Sequence, residues 1–186
     1  MEKIGVEEWF AGYKESREYR ILGIGGLMGD IVQRMVGSAE NQGDKIKLGL
    51  SGCHDTTLAA VLASLGALET STWPPFTSHI AIEMFRKPEP AATTGGRGWW
   101  EALSGMASSR SSIGRKPTPE LTVSEKRTLD GYYVRLRYND EPVVIPGCKT
   151  PGNHLEGDES FCTLVSFIPK IPFCGVLTGV LFVGSV

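Results

Sequence analysis

The sequence contains only three histidines, and one of them, His54, stands directly before an aspartate, Asp55. The pair lies in LGLSGCHDTTLAAVLASL, residues 48–65, where an apolar segment gives way to a polar turn and then to a run with helical periodicity. The first turn of a helix offers free backbone N–H groups and the positive end of the helix dipole, which favour an anion such as phosphate. The residue types and their placement therefore make this junction the first candidate for chemistry.

Both residues also have a purely structural explanation. Asp55 could be the N-cap of the following helix, accepting the backbone N–H of Thr57 or Leu58. His54 could be hydrogen-bonded to a neighbouring backbone group. Composition and spacing alone favour these structural roles over catalysis.

The surrounding pattern predicts an α/β domain in which a strand leads into the helix that begins at Asp55 and ends near Gly66. Polar side chains at such a junction lie at the mouth of an α/β sheet, where these folds bind ligands. The other predicted elements are helices at 6–20 (apolar face Trp9, Phe10 and Tyr13) and 21–36, strands at 46–50 and 80–85, and a hairpin at 131–146 that turns at Asn139-Asp140.

Two segments do not fit the periodic pattern. Residues 88–128 are rich in Pro, Gly, Ser and Thr, which predicts a flexible insertion containing Trp99-Trp100. Residues 168–186 are almost uncharged but fall short of a membrane span. Three explanations of this tail remain open: an anchor, a buried strand, or an open reading frame that runs past its proper end. We favour the third.

The overall composition excludes some classes of function. The net charge of −2 gives no indication of nucleic-acid binding, and the N-terminus has no signal-peptide pattern, so the compartment cannot be read. The four cysteines have no spacing typical of a metal site. Cys148 and Cys162 flank one polar loop; a disulfide between them and four free thiols are equally compatible with the spacing.

Several blocks in order resemble the histidine acid phosphatases, branch 2 of the histidine phosphatase superfamily. The central block is Ser51-Gly52-Cys53-His54-Asp55-Thr56-Thr57, followed by a helix ending in Leu65-Gly66. The flanking blocks are WPPFTSHIAIEMF with Glu83, whose opening is similar to the lysophosphatidic acid phosphatase-like members, then YYVRLRYNDEPVVIPGC and FCTLVSF. The resemblance covers about residues 20–87 and 131–167, and it implies part of a phosphoglycerate mutase-like α/β sheet with flanking helices across residues 1–167.

The resemblance also implies roles for the residues at the junction. His54 would contact the phosphate, Asp55 would protonate the leaving oxygen, and Thr56 would contribute to substrate binding. The expected ligand is a phosphomonoester or phosphate, and neither a metal nor another cofactor is required. In this family the phosphoryl group passes through a phosphohistidine intermediate.

One part of the family's pattern is missing from these 186 residues. The nucleophile motif Arg-His-Gly-x-Arg-x-Pro does not occur, and neither His79 nor His154 has its flanking arginines and glycine. We therefore expect the C-terminal half of an acid phosphatase, inactive or nearly so by itself. The alternative is a catalytically inactive remnant that binds an anion or a partner chain, including self-association through an unpaired sheet edge. A membrane-tethered module ranks third.

Overall fold

The computed structural model describes residues 2–40, 47–67, 72–88, 113–116 and 118–168. Three helices precede the sheet and two short helices are associated with it. The helices are α1 (Glu2–Glu15), α2 (Arg17–Ala39), α3 (Asp55–Ser64), α4 (Val123–Leu129) and α5 (Leu164–Phe167). The strands are β1 (Ile80–Arg86), β2 (Tyr132–Tyr138), β3 (Glu141–Val143), β4 (His154–Leu155) and β5 (Asp158–Thr163).

The described strands form one antiparallel sheet in the order β1-β2-β5-β4, with β3 also paired to β2. β2 is the central strand, and its side chains alternate between the two faces of the sheet. Val134 and Leu136 point into the core and are fully buried, whereas Arg135 lies on the opposite, half-exposed face. The predicted α/β class is confirmed.

The two predicted N-terminal helices are present, but their boundary lies at Ser16. The Ser16 hydroxyl caps α2 by accepting the backbone N–H of Tyr19 at 3.1 Å. The Arg20 guanidinium then donates to the carbonyls of Tyr13 and Lys14, which end α1. These contacts end α1 and begin α2 earlier in the chain than the boundary after residue 20 that the apolar periodicity predicted.

The strand predicted at 46–50 is wrong for the part that the structure describes. Residues 47–50 form no strand, and Leu48 and Leu50 are 38% and 63% exposed. A strand needs a neighbour for its backbone N–H and C=O groups. No described strand runs beside this segment, so its apolar side chains remain at the surface.

The late hairpin is confirmed with the predicted turn. Tyr138 pairs with Glu141, and the two residues between them, Asn139 and Asp140, have φ values of 47° and 68°. Positive φ at both central positions is the conformation that two-residue hairpins prefer. The disulfide is also present: Cys148 is bonded to Cys162 with their Cα atoms 5.4 Å apart, while Cys53 is a free, exposed thiol.

The predicted insertion and tail lie largely outside the described residues, which exclude 89–112, 117 and 169–186. The end of the segment assigned to the insertion is structured, since α4 begins there behind a capping box formed by Thr122 and Glu125. Within the described ranges, no helix is both long and apolar enough to cross a membrane.

Candidate functional site

The first turn of α3 places His54 and Asp55 side by side at the protein surface. His54 is the N-cap, and its carbonyl accepts the backbone N–H groups of Thr57 and Leu58 at 3.0 and 3.3 Å. Its imidazole makes no capping hydrogen bond and is exposed. The N-cap role considered for Asp55 is therefore wrong, because the backbone places His54 at that position.

The carboxylate of Asp55 is held at both oxygens. Oδ1 accepts the backbone N–H of Thr56 at 2.7 Å, and Oδ2 accepts the indole N–H of Trp73 at 2.6 Å. Two donors from different parts of the chain fix the orientation of this group although it is exposed. A carboxyl that is held in one orientation can present its proton to an atom at a defined position, which is what general acid catalysis needs.

These hydrogen bonds also determine the acidity of Asp55. The Trp73 indole contributes most and the Thr56 N–H next, and together they hold the pKa of Asp55 below its ordinary value. The carboxyl is thus ionised at neutral pH when no anion is bound. A phosphate placed beside it acts in the opposite direction, since like charge raises a carboxyl pKa.

Trp73 is the residue of this site that sequence reasoning missed. Its ring lies 6.0 Å from that of Phe10, measured between centroids, and Phe10 is buried on α1. The next residue, Pro74, is buried as well. The only sequence signal was the WPPF block of the family resemblance, and nothing local indicated that the indole reaches back to α3.

A cleft of about 200 Å³ opens beside the first turn of α3. It is lined by Tyr13, Gly23, Ile24, Leu27, Thr56, Thr57 and Ala60. Gly23 is needed for its shape, because a Cβ at that position would lie only 2.6 Å from the hydroxyl oxygen of Tyr13. The structure therefore brings the predicted site residue Thr56 into contact with both Asp55 and a cavity.

The other two histidines have different surroundings. His79 Nε2 lies 3.4 Å from Oδ1 of Asp140 at the hairpin turn. His154 Nδ1 lies 2.8 Å from the carbonyl oxygen of Cys148, beside the disulfide. Within the described ranges, no three His, Cys, Asp or Glu side chains are grouped so as to hold a metal ion.

Comparisons with known proteins indicate the family of this chain. The family model of the histidine phosphatase superfamily (branch 2) matches residues 4–139. A probable acid phosphatase of Schizosaccharomyces pombe is 35% identical over 87% of this chain and 36% of its own length. A probable acid phosphatase of Dictyostelium discoideum is 26% identical over 77% of this chain and 26% of its own.

The chain therefore spans about a third of the first relative and about a quarter of the second. No solved structure matches it significantly. The family match extends from α1 to the hairpin turn and includes α3 with its His-Asp pair. This chain belongs to branch 2 of the histidine phosphatase superfamily.

Proposed function

We propose that this chain carries the proton-donor half of an acid phosphatase-type site for phosphomonoesters. Asp55 is the general acid, His54 contacts the phosphate, and Thr56 helps to bind the substrate. The observation that carries the proposal is the Asp55 carboxyl, fixed by Trp73 and Thr56 at the N-terminus of α3 with His54 directly before it. The two relatives described as probable acid phosphatases support it.

The proposed reaction breaks the bond between phosphorus and the ester oxygen. Asp55 gives its proton to that oxygen, which leaves as an alcohol, because an alkoxide is a poor leaving group. The phosphoryl group passes to a histidine, and water then releases phosphate from the phosphohistidine. The resemblance places that histidine in an Arg-His-Gly motif, which these 186 residues do not contain.

The proposal therefore gives the chain, taken by itself, phosphate binding with little or no turnover. Loss of a nucleophile that acts as a unit with its partners removes most of an enzyme's rate. Phosphate binding still draws on His54 and on the positive end of the α3 dipole. The expected behaviour is a binding protein for the phosphoryl group.

Titration calorimetry with inorganic phosphate, together with an assay on p-nitrophenyl phosphate, tests this. We expect His54→Ala to weaken phosphate binding by about tenfold, the effect of losing one charge-assisted contact. Asp55→Asn should bind phosphate as well as or better than the wild type, because a like charge is removed. Asp130→Asn, the same change at an exposed acid that ends α4, is the control.

Two results would overturn parts of the proposal. If phosphate does not bind, or if His54→Ala does not weaken its binding, the proposed phosphate site is contradicted. Rapid hydrolysis of p-nitrophenyl phosphate that depends on Asp55 leaves the site in place but contradicts the expected lack of turnover.

A second candidate function, association with another chain, has one observation in its favour. In the described part of the sheet, β1 is an edge strand of seven residues that pairs only with β2. An edge with unpaired backbone groups is a pairing surface. Sedimentation that depends on protein concentration would support self-association, and a monomer at all concentrations would exclude it.

A further inference from the structure

We propose that the cleft beside α3 binds the organic group of the phosphomonoester and selects a compact, uncharged, apolar group, such as a single aromatic ring. This inference rests on the proposed function of His54 and Asp55. It adds the class of alcohol that the site prefers.

The position of the cleft is the first argument. Thr56 and Thr57, which follow Asp55 directly, line its wall. The carboxyl of Asp55 also accepts the backbone N–H of Thr56. An ester whose leaving oxygen faces Asp55 therefore has its carbon side next to these threonines, at the entrance of the cleft.

The chemistry of the lining is the second argument. Ile24, Leu27 and Ala60 present aliphatic surface, whereas Tyr13, Thr56 and Thr57 add uncharged polar groups. Among the described residues, no lysine, arginine, aspartate or glutamate lines the cleft. A charged organic group would lose hydration there without gaining a partner, which costs free energy. An apolar group gains from leaving water.

The size of the cleft limits what fits. Its volume of about 200 Å³ lies below the ~300 Å³ at which pockets for drug-sized ligands begin. A dry apolar cavity of ~150 Å³ in another protein accommodates benzene. One ring or a short branched alkyl chain fills this volume, whereas a nucleoside or a long acyl chain would extend beyond it into solvent.

Tyr13 and Gly23 preserve this shape. Tyr13 packs edge-on against Tyr19, with 4.8 Å between ring centroids. A Cβ at position 23 would lie 2.6 Å from its hydroxyl oxygen, so a larger residue there would force the Tyr13 ring to move. Burial, and secondarily Tyr19, raises the pKa of Tyr13, so its phenol stays uncharged over the working pH range. The wall of the cleft is thus neutral as well as rigid.

The test compares phenylphosphonate with methylphosphonate by titration calorimetry on the intact chain. Both carry the same charged head, and their C–P bond prevents turnover whether or not the chain is active. We expect phenylphosphonate to bind about tenfold more tightly, from the apolar area of the ring removed from water. Equal affinities would overturn the inference without any mutation.

Two substitutions test whether the preference for phenylphosphonate arises in the cleft. Leu27→Trp fills the cleft and should abolish the preference for the phenyl compound while methylphosphonate binding is kept. Leu22→Trp adds the same side chain on α2 at a position that is 82% exposed and outside the cleft, so the preference should persist. A preference that survives Leu27→Trp places the ring elsewhere and contradicts the inference.

The two proposals fail in different ways. If neither phosphonate binds, the proposed phosphate site is wrong and this inference falls with it. If both bind but without preference, the phosphate site stands and only the assignment of the cleft is lost.

Discussion

The indole N–H of Trp73 donates a 2.6 Å hydrogen bond to Oδ2 of Asp55 across eighteen residues of sequence. This contact joins the turn before β1 to the first turn of α3. It makes the acidity of the candidate proton donor depend on a residue outside the His-Asp block. The ring of Phe10 on α1 lies 6.0 Å from the indole, measured between centroids.

The first prediction concerns Trp73→Phe, which keeps a ring next to Phe10 but removes the donor. We expect the pKa of Asp55 to rise, because the largest contribution that lowers it is lost. Carboxyl carbon chemical shifts followed by NMR over pH give the midpoint. In the wild type this hydrogen bond stabilises the fold above the unfolded-state pKa of Asp55, and the contribution is lost as pH falls through the lower folded-state value.

Asp158 provides an internal control in the same titration. Its pKa is lowered mainly by the hydroxyl and backbone N–H of Ser160, far from the substitution in the chain. It should titrate identically in both proteins. An Asp55 midpoint that does not move in Trp73→Phe would show that the indole has no influence on its acidity.

The local sequence pattern was sufficient to locate the candidate site, but it did not predict the contacts that its residues make. The helix that begins at Asp55 and stops before Gly66 follows from apolar periodicity and from a glycine that adopts φ of 66°. Which residue caps the helix depends on one backbone conformation, that of His54. The bond from Trp73 is a tertiary contact, and no periodicity in a single sequence encodes such a contact.

The same distinction between what local pattern predicts and what tertiary contacts decide applies to the sheet. β1 and β2 were readable because their side chains alternate and because Asn139-Asp140 is a typical hairpin turn. Residues 47–50 have strand-like composition, yet pairing decides whether such a segment becomes a strand. The described part of the chain offers this segment no partner, so composition alone gave the wrong result.

The second prediction concerns Glu83, which lies on β1 opposite Arg135. Its carboxylate accepts from Arg135 Nε at 2.8 Å and lies 3.4 Å from Arg137 Nη1, and each of the three side chains is less than a third exposed. Burial raises the pKa of Glu83, but the two arginines outweigh it and lower the pKa. We expect Glu83→Gln to reduce the free energy of unfolding in urea by roughly 1–3 kcal/mol, because part-buried Arg135 loses its ion-pair partner and Arg137 keeps only Asp140.

Glu141→Gln is the matched control for this substitution. Glu141 lies on β3 and is exposed, so the same chemical change should alter stability little. Equal effects of the two substitutions would mean that the ion pairs of Glu83 contribute nothing measurable.

The third prediction concerns stability at low pH and Glu125 in the first turn of α4. Hydrogen bonds from Lys116 first, then from Thr122, lower the pKa of Glu125 from 4.5 to about 2. Because the folded-state pKa is depressed, this stabilisation is present above pH 4.5 and is lost as pH falls toward 2. The stability advantage of the wild type over Glu125→Gln should therefore disappear across that window, as measured by urea unfolding at several pH values.

Glu120→Gln tests whether this effect is specific to the capping box. Glu120 is an exposed acid five positions earlier in the same segment. Its substitution should leave the pH dependence of unfolding unchanged. A difference between wild type and Glu125→Gln that is constant with pH would contradict the assignment.

The fourth prediction concerns the disulfide and its connection to the site helix. Cys148 and Cys162 are buried and 14 residues apart, and the turn that holds Cys148 begins at Pro146. Pro146 lies near the end of α3, where a Cβ on Gly66 would lie 3.4 Å from its ring. Closing a loop of this length restricts the unfolded chain, so reduction should lower the free energy of unfolding by about 2–4 kcal/mol.

Cys53→Ser is the background in which to measure this effect, because it removes the free thiol that the described residues expose and that can exchange with the bridge. Urea unfolding with and without dithiothreitol gives the difference. Because the bridge joins this turn to β5 and not to the His-Asp pair, phosphate binding to the reduced, folded protein should be retained. An unchanged urea midpoint after reduction would indicate that the bridge does not stabilise the fold, whereas loss of phosphate binding before unfolding would indicate that it also holds the first turn of α3 in place.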